Sequence, residues 1–453
     1  MIDPHCILAA HPAPVPRYTS YPTAPHFAAG SAITAERTML EALDADEPVS
    51  LYLHVPFCDR LCWFCGCHTK QTRQYAPVAA YVGVLVEEMA LIAEAAGFRI
   101  PVRHVHFGGG SPSMLQADDF ARLATALADN FDLLEETEIS VEIDPGDLGS
   151  QLLDGLGVLG VTRASIGVQD FDEDVQTAIN RPQSFELTRE TVASLRRLGI
   201  RSLNIDAVYG LPRQSMERLQ RTIEQVMSLE PDRVALFGYA HVPWLKKHQQ
   251  MIDEAELPDS LERFEQAEVA ARLLTGAGFE KIGIDHFARP DDPLAIAARR
   301  GVLRRNFQGY TTDDCQTLIG LGASAISRFA DGYVQNIVAT GQYCAAVGNG
   351  CLAGHKSYVF TEDDRIRAHM IERLLCDFAI DLDRLEARFP DRAARYLREL
   401  TDVAEAESEG LCAMDKKARR FFIPPEARAF ARIVAARFDA HLRETSFRYS
   451  KAV

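Results

Sequence analysis

The sequence predicts an α/β protein in which helices flank a parallel sheet and a mostly helical C-terminal domain follows. Three observations lead to this prediction. Between residues 48 and 330, the chain alternates six times between a short apolar strand pattern and a helical pattern. Residues 1–47 show little periodicity, and helical periodicity dominates beyond residue 330. Six strand–helix units are two fewer than a full eightfold barrel contains.

Each unit contains one predicted strand and one predicted helix. The strands cover residues 50–55, 103–107, 137–143, 162–168, 202–208 and 233–238. The helices cover residues 77–96, 117–129, 149–156, 184–198, 214–228 and 259–277. Pro77 in the first turn and Gly97 past the last turn mark the ends of the first helix. Asp259 and Glu262 have the spacing of a capping box at the start of the sixth.

The same patterns divide the chain into three predicted regions. Residues 1–47 form an N-terminal arm, because the prolines between residues 16 and 25 hold the backbone extended. Residues 48–330 form the catalytic domain, which contains all six units. Residues 331–453 form the helical C-terminal domain.

The composition excludes several classes of protein. An apolar content of 47% and a charged content of 25% are typical of a soluble globular chain. The net charge of −16 argues against nucleic acid as the main partner, because phosphate binding needs a basic face. No run reaches the ~20 apolar residues of a membrane span, and the N-terminus lacks the features of a signal peptide. We therefore expect a cytoplasmic protein with reduced cysteines.

The most informative motif is a cysteine loop that directly follows the first predicted strand. Cys58, Cys62 and Cys65 have C-x3-C-x2-C spacing, and Cys67 follows two residues later. Three thiolates this close in sequence are able to ligate three irons of a cubane cluster and leave the fourth open to a substrate. A cluster used only for electron transfer normally has four cysteine ligands. The spacing therefore predicts a reactive iron–sulfur centre.

Three simpler interpretations of the loop are disfavoured. Structural zinc sites usually have two separated C-x2-C pairs, and no second pair exists here. Disulfides between thiols this close in sequence have poor geometry. A two-cluster ferredoxin has a C-x2-C-x2-C-x3-C-P run, which this chain lacks.

The residues around this loop resemble a known family. The cysteine spacing after a strand is typical of radical S-adenosylmethionine (SAM) enzymes. The longer string Y-x-H-x-P-F-C over residues 52–58, with the extra Cys67, is similar to the oxygen-independent coproporphyrinogen III oxidases, also called dehydrogenases. The R-Y-T-S-Y-P-T arm that begins at Arg17 and the string at residues 306–312 also match. The resemblance implies an incomplete, three-quarter barrel of the β6α6 kind.

The resemblance also implies cofactors and site residues. Cys58, Cys62 and Cys65 match the ligands of a [4Fe-4S] cluster, beside which two SAM molecules are expected. The positions that match the first SAM are Tyr52, Phe64, Gly109, Glu142 and Ile326. The positions that match the second are Gly110, Ser111, Gln169, Arg181, Asp206 and Ala240. The family usually has Thr where this chain has Ser111, and the hydroxyl group is retained. The candidate catalytic residues are Tyr52, His54 and Cys67.

The implied activity is oxidative decarboxylation of two propionate side chains of coproporphyrinogen III to vinyl groups, which gives protoporphyrinogen IX in anaerobic haem biosynthesis. The implied partners are an electron donor to the cluster and an electron acceptor, and a monomer is expected. A haem-binding, chaperone-like relative and a radical SAM enzyme acting on another substrate remain alternatives. Four arginines near one another in sequence are candidates for holding the propionates: Arg299, Arg300, Arg304 and Arg305.

Overall fold

Six parallel strands form the centre of the computed structural model, which describes residues 2–442. Met1 of the predicted arm and residues 443–453 of the predicted C-terminal domain lie outside the described residues. The strands, named β1 to β6, are Val49–Val55, Ile100–Gly109, Phe131–Ile143, Arg163–Gln169, Ser202–Tyr209 and Arg233–Gly238. They lie side by side in chain order and pair in parallel. The predicted α/β fold and its parallel sheet are thus confirmed.

One long helix connects each strand to the next, and a sixth follows β6. The helices, named α1 to α6, are Ala76–Ala96, Ala117–Asn130, Ser150–Leu159, Phe185–Arg197, Met216–Ser228 and Ser260–Gly276. A short additional helix, Glu173–Ala178, precedes α4. The predicted capping box of α6 is present, because Asp259 accepts from the Glu262 N–H at 2.9 Å and the Glu262 carboxylate accepts from the Asp259 N–H at 2.8 Å.

The sheet continues on both sides of the six strands and does not close. Beside β1, one further parallel strand is followed by antiparallel strands: Leu318–Leu321, Ile326–Phe329, Gly332–Asn336, Gly354–Val359 and Ala28–Ala29. Beside β6 lie two short antiparallel strands, His286–Ala288 and Glu280–Ile282. One sheet therefore contains strands from both sides of residue 330. Mainly helical structure begins near residue 360, where we place the division between the two regions.

The remaining elements surround this sheet. Helices of the N-terminal arm and of the linking segments are Pro4–Ala10, Ala32–Glu41, Pro293–Arg300 and Thr340–Gly348. Helices of the C-terminal region are Glu362–Cys376, Leu382–Arg388, Ala393–Glu405 and Ala431–Ala436. Small antiparallel pairings join Arg304–Asn306 to Gly309–Thr311, and Ala379–Asp381 and Ala413–Asp415 to Arg420–Phe422.

Two hydrophobic cores are relevant to the site. The larger one lies between the sheet and helices α1 to α6. Helix α1 is long and apolar enough to cross a membrane by length and composition, but its buried side chains, such as Val82, Leu85 and Met89, belong to this core. The second core lies in the C-terminal region and includes Tyr18 and Tyr21 of the arm.

Candidate functional site

The cysteine loop leaves the carboxyl end of β1 and is anchored at its base. Phe57 and Cys58 pair with Lys70 and Gln71, which brings the two ends of the loop together. Cys62 is buried, whereas Cys58 and Cys65 are partly exposed. The fourth cysteine of the loop, Cys67, is exposed. The sequence therefore places the three predicted ligands in one short segment with different degrees of burial.

Side chains from the segments that follow β4 and β6 fix the course of this loop. Asn180 donates to the Leu61 carbonyl at 2.9 Å, and Gln249 donates to the Phe64 carbonyl at 2.9 Å. His248 hydrogen-bonds to a third carbonyl, that of Cys65, at 2.7 Å. Three consecutive parts of the loop are thus bonded to segments more than 100 residues away in sequence. Such bonds hold the thiol groups in place before any ligand binds.

The three thiols suit an iron–sulfur cluster better than one metal ion. Among the described residues, one set of His, Cys, Asp or Glu ligand atoms lies entirely within 4.8 Å, and it consists of His104, Asp313 and Cys315. At least one pair among the sulfurs of Cys58, Cys62 and Cys65 is therefore more than 4.8 Å apart. A single zinc ion holds its sulfurs within about 4.6 Å, twice the Zn–S bond length. The wider spacing fits a cluster that takes one thiolate on each of three irons.

Arg181 joins the cysteine loop to the ends of β3 and β4. Its Nη1 donates to Cys62 Sγ at 3.5 Å and lies 3.1 Å from the Asp144 carboxylate, while Nη2 donates to the Gly167 carbonyl at 2.6 Å. Burial raises the pKa of the Cys62 thiol, and the Arg181 charge opposes that rise. The buried Nε of Arg181 has no hydrogen-bond partner within residues 2–442. This free donor is available to an acceptor on a bound molecule.

The glycines at the end of β2 allow close contact between neighbouring segments. A Cβ on Gly110 would lie 2.5 Å from the Phe57 carbonyl oxygen, and a Cβ on Gly109 would lie 2.5 Å from the His54 ring. Gly109 also has a φ of +116°, which favours glycine. The Ser111 N–H donates to the Phe57 carbonyl at 2.7 Å. The glycine segment therefore packs directly against the start of the cysteine loop.

Glu142, at the end of β3, faces this glycine segment. Its carboxylate accepts from the Gly109 N–H at 3.0 Å and lies 3.4 Å from His106 Nε2. Burial opposes ionisation, but the hydrogen bond from His106 and its charge hold the pKa of Glu142 below its ordinary value. A partly exposed carboxylate that stays ionised is able to accept hydrogen bonds from ribose hydroxyls or from an ammonium group.

Tyr52 and His54 project from β1 towards the same region. The Tyr52 hydroxyl hydrogen-bonds to His54 Nδ1 at 3.0 Å, and the other ring nitrogen of His54 bonds to the His68 carbonyl at 3.0 Å. Burial lowers the pKa of His54 to about 4, so the ring is neutral near pH 7. Two of the three candidate catalytic side chains, Tyr52 and His54, therefore form one hydrogen-bonded pair.

Asp206 lies on β5 and Gln169 on β4, the two strands that follow β3 in the sheet. The Asp206 carboxylate accepts from Ser165 at 3.0 Å and from Asn204 at 2.7 Å. Burial and the nearby Glu142 raise the pKa of Asp206 to about 6. Gln169 has a φ of +70° at a bulge in β4. A Cβ on Gly167 would lie 3.1 Å from Gln169 Nε2 and also 3.1 Å from Arg181 Nη2, so these two side chains lie together.

The remaining predicted positions lie around this group in different ways. The side-chain amide of Gln249 joins Phe64 and Ala240, because it donates to both carbonyls, at 2.9 and 3.1 Å. Ile326 lies against Gly320, which pairs with Tyr52 on β1. The Ser111 hydroxyl is already engaged, since it donates to the Asp147 carboxylate at 2.6 Å.

Other residues of the site were not predicted from the sequence. Asp144, Gln249 and His248 hold Arg181 or the cysteine loop, yet none belongs to a motif that would single it out. The four arginines between residues 299 and 305, which were predicted to hold the propionates, have different surroundings in the structure. Arg299 pairs with Glu280 and Arg304 with Glu372, so both are neutralised by carboxylates. Of the four arginines, the buried Arg305 alone lies in a cavity described below.

A family profile described as the Radical SAM superfamily matches residues 52–226, the part of the chain with the cysteine loop and β1 to β5. A second profile, described as the HemN C-terminal domain, matches residues 360–430. The fold is that of the radical SAM class.

Similar proteins define the family more narrowly. An oxygen-independent coproporphyrinogen III oxidase of Cereibacter sphaeroides is 48% identical over 97% of this chain and 96% of its own length. The protein of that description from Escherichia coli is 39% identical over 95% of this chain and 93% of its own length. The solved structure of coproporphyrinogen III oxidase (HemN) from Escherichia coli, a radical SAM enzyme, covers 97% of this chain and 100% of its own, with a TM-score of 0.90 and 37% identity. This chain belongs to the oxygen-independent coproporphyrinogen III oxidase family.

Proposed function

We propose that this protein converts two propionate side chains of coproporphyrinogen III to vinyl groups and so forms protoporphyrinogen IX in anaerobic haem biosynthesis. The observation that carries the proposal is the position of the cysteine loop. It lies directly against the glycine segment of β2 and near the ionised Glu142, at the carboxyl ends of neighbouring parallel strands. Ligands of parallel α/β folds bind at this edge.

Cys58, Cys62 and Cys65 would hold a [4Fe-4S] cluster. With SAM bound beside it, the cluster would supply the radical chemistry needed to remove hydrogen from a substrate propionate. The two thiols whose pKa values are raised, Cys58 and Cys62, must lose their protons when iron binds. Arg181 remains charged beside Cys62 and offsets part of the negative charge of the cluster site.

The remaining site residues position SAM. For a first molecule we assign Tyr52, Phe64, Gly109, Glu142 and Ile326. For a second molecule we assign Gly110, Ser111, Gln169, Arg181, Asp206 and Ala240. The free Nε of Arg181 fits a carboxylate, and the Asp206 carboxylate fits a diol. We assign proton or hydrogen transfer to His54 and Tyr52, which are neutral and hydrogen-bonded to each other, and to the exposed Cys67.

The protein would work as a cytoplasmic monomer that receives electrons from a separate donor and delivers electrons from the substrate to a separate acceptor. The decisive experiment is anaerobic incubation of the cluster-loaded protein with coproporphyrinogen III, SAM and a reductant. We expect two moles of carbon dioxide per mole of protoporphyrinogen IX. Stoichiometric haem binding without any vinyl product would contradict the proposal and would favour a haem-binding role.

A further inference from the structure

A group of arginines surrounds a small cavity beside the carboxyl ends of β5 and β6. Four guanidinium groups, those of Arg17, Arg263, Arg305 and Arg432, line it together with one carboxylate, Asp285. The other charged residues of the lining are a lysine and a glutamate that pair with each other at 3.7 Å. We refer to the four arginines as the arginine cluster. It is strongly positive, although the whole chain has a net charge of −16.

Two members of the arginine cluster are buried and have free donors. The Arg305 side chain is 4% exposed, lies over the Tyr310 ring at 4.5 Å and is 3.8 Å from Asp285. Its Nε and Nη1 atoms have no hydrogen-bond partner within residues 2–442. Arg263 donates through Nη2 to the Tyr239 carbonyl at 2.8 Å, but its buried Nε is also without a partner in that range. A buried donor without a hydrogen bond lowers the stability of the fold. The unpaired donors of Arg305 and Arg263 therefore indicate that an acceptor binds here.

The other two members come from opposite ends of the chain. Arg17, in the N-terminal arm, donates to the Gly238 carbonyl at the end of β6, at 2.5 Å. Arg432 lies in the helix Ala431–Ala436, and its side chain makes no hydrogen bond or ion pair with any described residue. Burial and the neighbouring Arg17 lower the pKa of Arg432 to about 10, which reflects the excess of positive charge. Asp285 alone does not neutralise four guanidinium groups.

The chemistry and size of the cavity define its ligand. Guanidinium groups bind carboxylates and phosphates through paired, charge-assisted hydrogen bonds. The cavity volume is about 60 Å³, which holds a small anionic group and excludes a tetrapyrrole ring. The lining residue Gly238 is two residues before Ala240, one of the positions assigned to SAM. A carboxylate at the end of a flexible side chain would reach the cavity while its ring remained in the larger site.

We propose that the arginine cluster binds the carboxylate of a propionate that coproporphyrinogen III retains in the product. This inference rests on the proposed function. Strong pairing of a reacting carboxylate would stabilise the ground state, because the charge leaves that group as carbon dioxide forms. A propionate that is retained in the product keeps its charge throughout the reaction. Its binding therefore holds the substrate without raising the reaction barrier. The arginine cluster then fixes which side chains face the radical, and it also contacts the product.

The test compares porphyrin binding by the wild type, Arg432→Gln and Arg432→Lys, with Arg398→Gln as a control. Arg398 is an exposed arginine outside the cavity, so its replacement gives the same change of net charge. Fluorescence titration measures the Kd of coproporphyrin III, the non-reacting oxidised form, and of protoporphyrin IX, which retains two propionates. We expect Arg432→Gln to weaken both about tenfold, Arg432→Lys to weaken them less, and Arg398→Gln to have no effect.

Two further measurements separate lost binding from lost folding. Removing one of four like charges should raise the Tm of ligand-free Arg432→Gln above that of the wild type, while its porphyrin affinity falls. Misfolding would lower both. The tetramethyl ester of coproporphyrin III should bind the wild type and Arg432→Gln equally.

Several outcomes would overturn the inference. One is unchanged porphyrin affinity in Arg432→Gln; another is weaker binding of coproporphyrin III alone, which would point to a reacting propionate. Inorganic phosphate that raises the wild-type Tm as much as coproporphyrin III would indicate a general anion site. If the wild type formed vinyl product and these outcomes occurred, the inference would fail while the proposed function stood. Absence of product from the wild type would instead remove the proposed function.

Discussion

The Nη1 atom of Arg181 donates a hydrogen bond to the Sγ atom of Cys62 at 3.5 Å, across 119 positions of sequence. The same guanidinium group contacts the Asp144 carboxylate and the Gly167 carbonyl. One guanidinium group therefore connects the buried Cys62 thiol to the ends of β3 and β4. The Nε atom of Arg181 has no hydrogen-bond partner among the described residues. The same side chain is therefore able to contact Cys62 and a bound carboxylate at the same time.

Arg181→Lys should weaken SAM binding without loss of the cluster. A lysine retains the positive charge but has one nitrogen, which cannot reach Cys62, Asp144 and a SAM carboxylate together. We expect the Kd of SAM to rise about tenfold and the iron content to stay at the wild-type level. Anaerobic equilibrium dialysis and iron analysis measure both. Arg189→Lys, on the exposed face of α4, is the matched control, and equal SAM affinity in the two variants would contradict the assignment.

Cys62→Ser and Cys67→Ser should differ in cluster content. Three thiolates are expected to hold the cluster, so loss of the buried Cys62 should remove nearly all of about four irons per chain. Loss of the exposed Cys67 should leave the iron content and SAM cleavage intact while product formation falls. Iron and sulfide analysis with anaerobic visible spectra provides the comparison. Equal loss of iron in the two variants would show that Cys67 is a ligand.

Gly110→Ala should destabilise the contact between the glycine segment and the cysteine loop. The new Cβ would lie 2.5 Å from the Phe57 carbonyl oxygen and 2.8 Å from its nitrogen, and backbone atoms cannot move aside cheaply. We expect roughly 2 kcal/mol or more of lost stability and a lower cluster content. Gly276→Ala is the control, since no atom lies within 4 Å of its Cβ position. Urea denaturation that gave both variants the same midpoint would exclude this packing role.

The free energy of unfolding should depend on pH through Glu36. This side chain is 1% exposed and accepts from the Gly354 N–H at 2.8 Å. Burial, with the nearby Glu88, raises the pKa of Glu36 from 4.5 to about 8. A raised folded-state pKa means that its stabilising contribution is complete below about pH 4.5 and is lost as the pH rises towards 8.

Glu36→Gln, which stays neutral, should therefore lack this fall in stability. We expect the wild type to lose roughly 2 kcal/mol or more relative to the variant across that interval. Urea midpoints at several pH values give the comparison. Glu41→Gln, at the exposed end of the same helix, should follow the wild type. Parallel pH profiles for the wild type and Glu36→Gln would refute the role of Glu36.

Local patterns were sufficient to predict the central part of the fold. Apolar periodicity and caps located β1 to β6 and α1 to α6 within a few residues, apart from an earlier start of β3 at Phe131, because burial on one face leaves a regular trace in sequence. The cysteine spacing and the glycine run predicted a site at the strand ends for the same reason, since the residues concerned are neighbours in the chain.

Contacts between distant segments left no such trace. No local pattern indicated that Arg432 approaches Arg17, or that Asp144 and Gln249 hold site residues. Tyr18 of the arm donates to Asp439 at 3.0 Å, a contact that spans 421 positions of sequence. The strands beyond residue 330 were missed because they are short, and their pairing depends on neighbours in the sheet rather than on their own periodicity.

The buried tyrosines of the arm have a consequence for biosynthesis. Tyr18 and Tyr21, together with Ile7, complete a core whose other buried members lie between residues 366 and 438. The ribosome synthesises the arm before these partners, so Tyr18 and Tyr21 lack their packing partners during most of translation. A truncated chain that lacks these partners would expose the apolar surface of the arm. We expect cellular proteases to degrade such a chain before it binds iron.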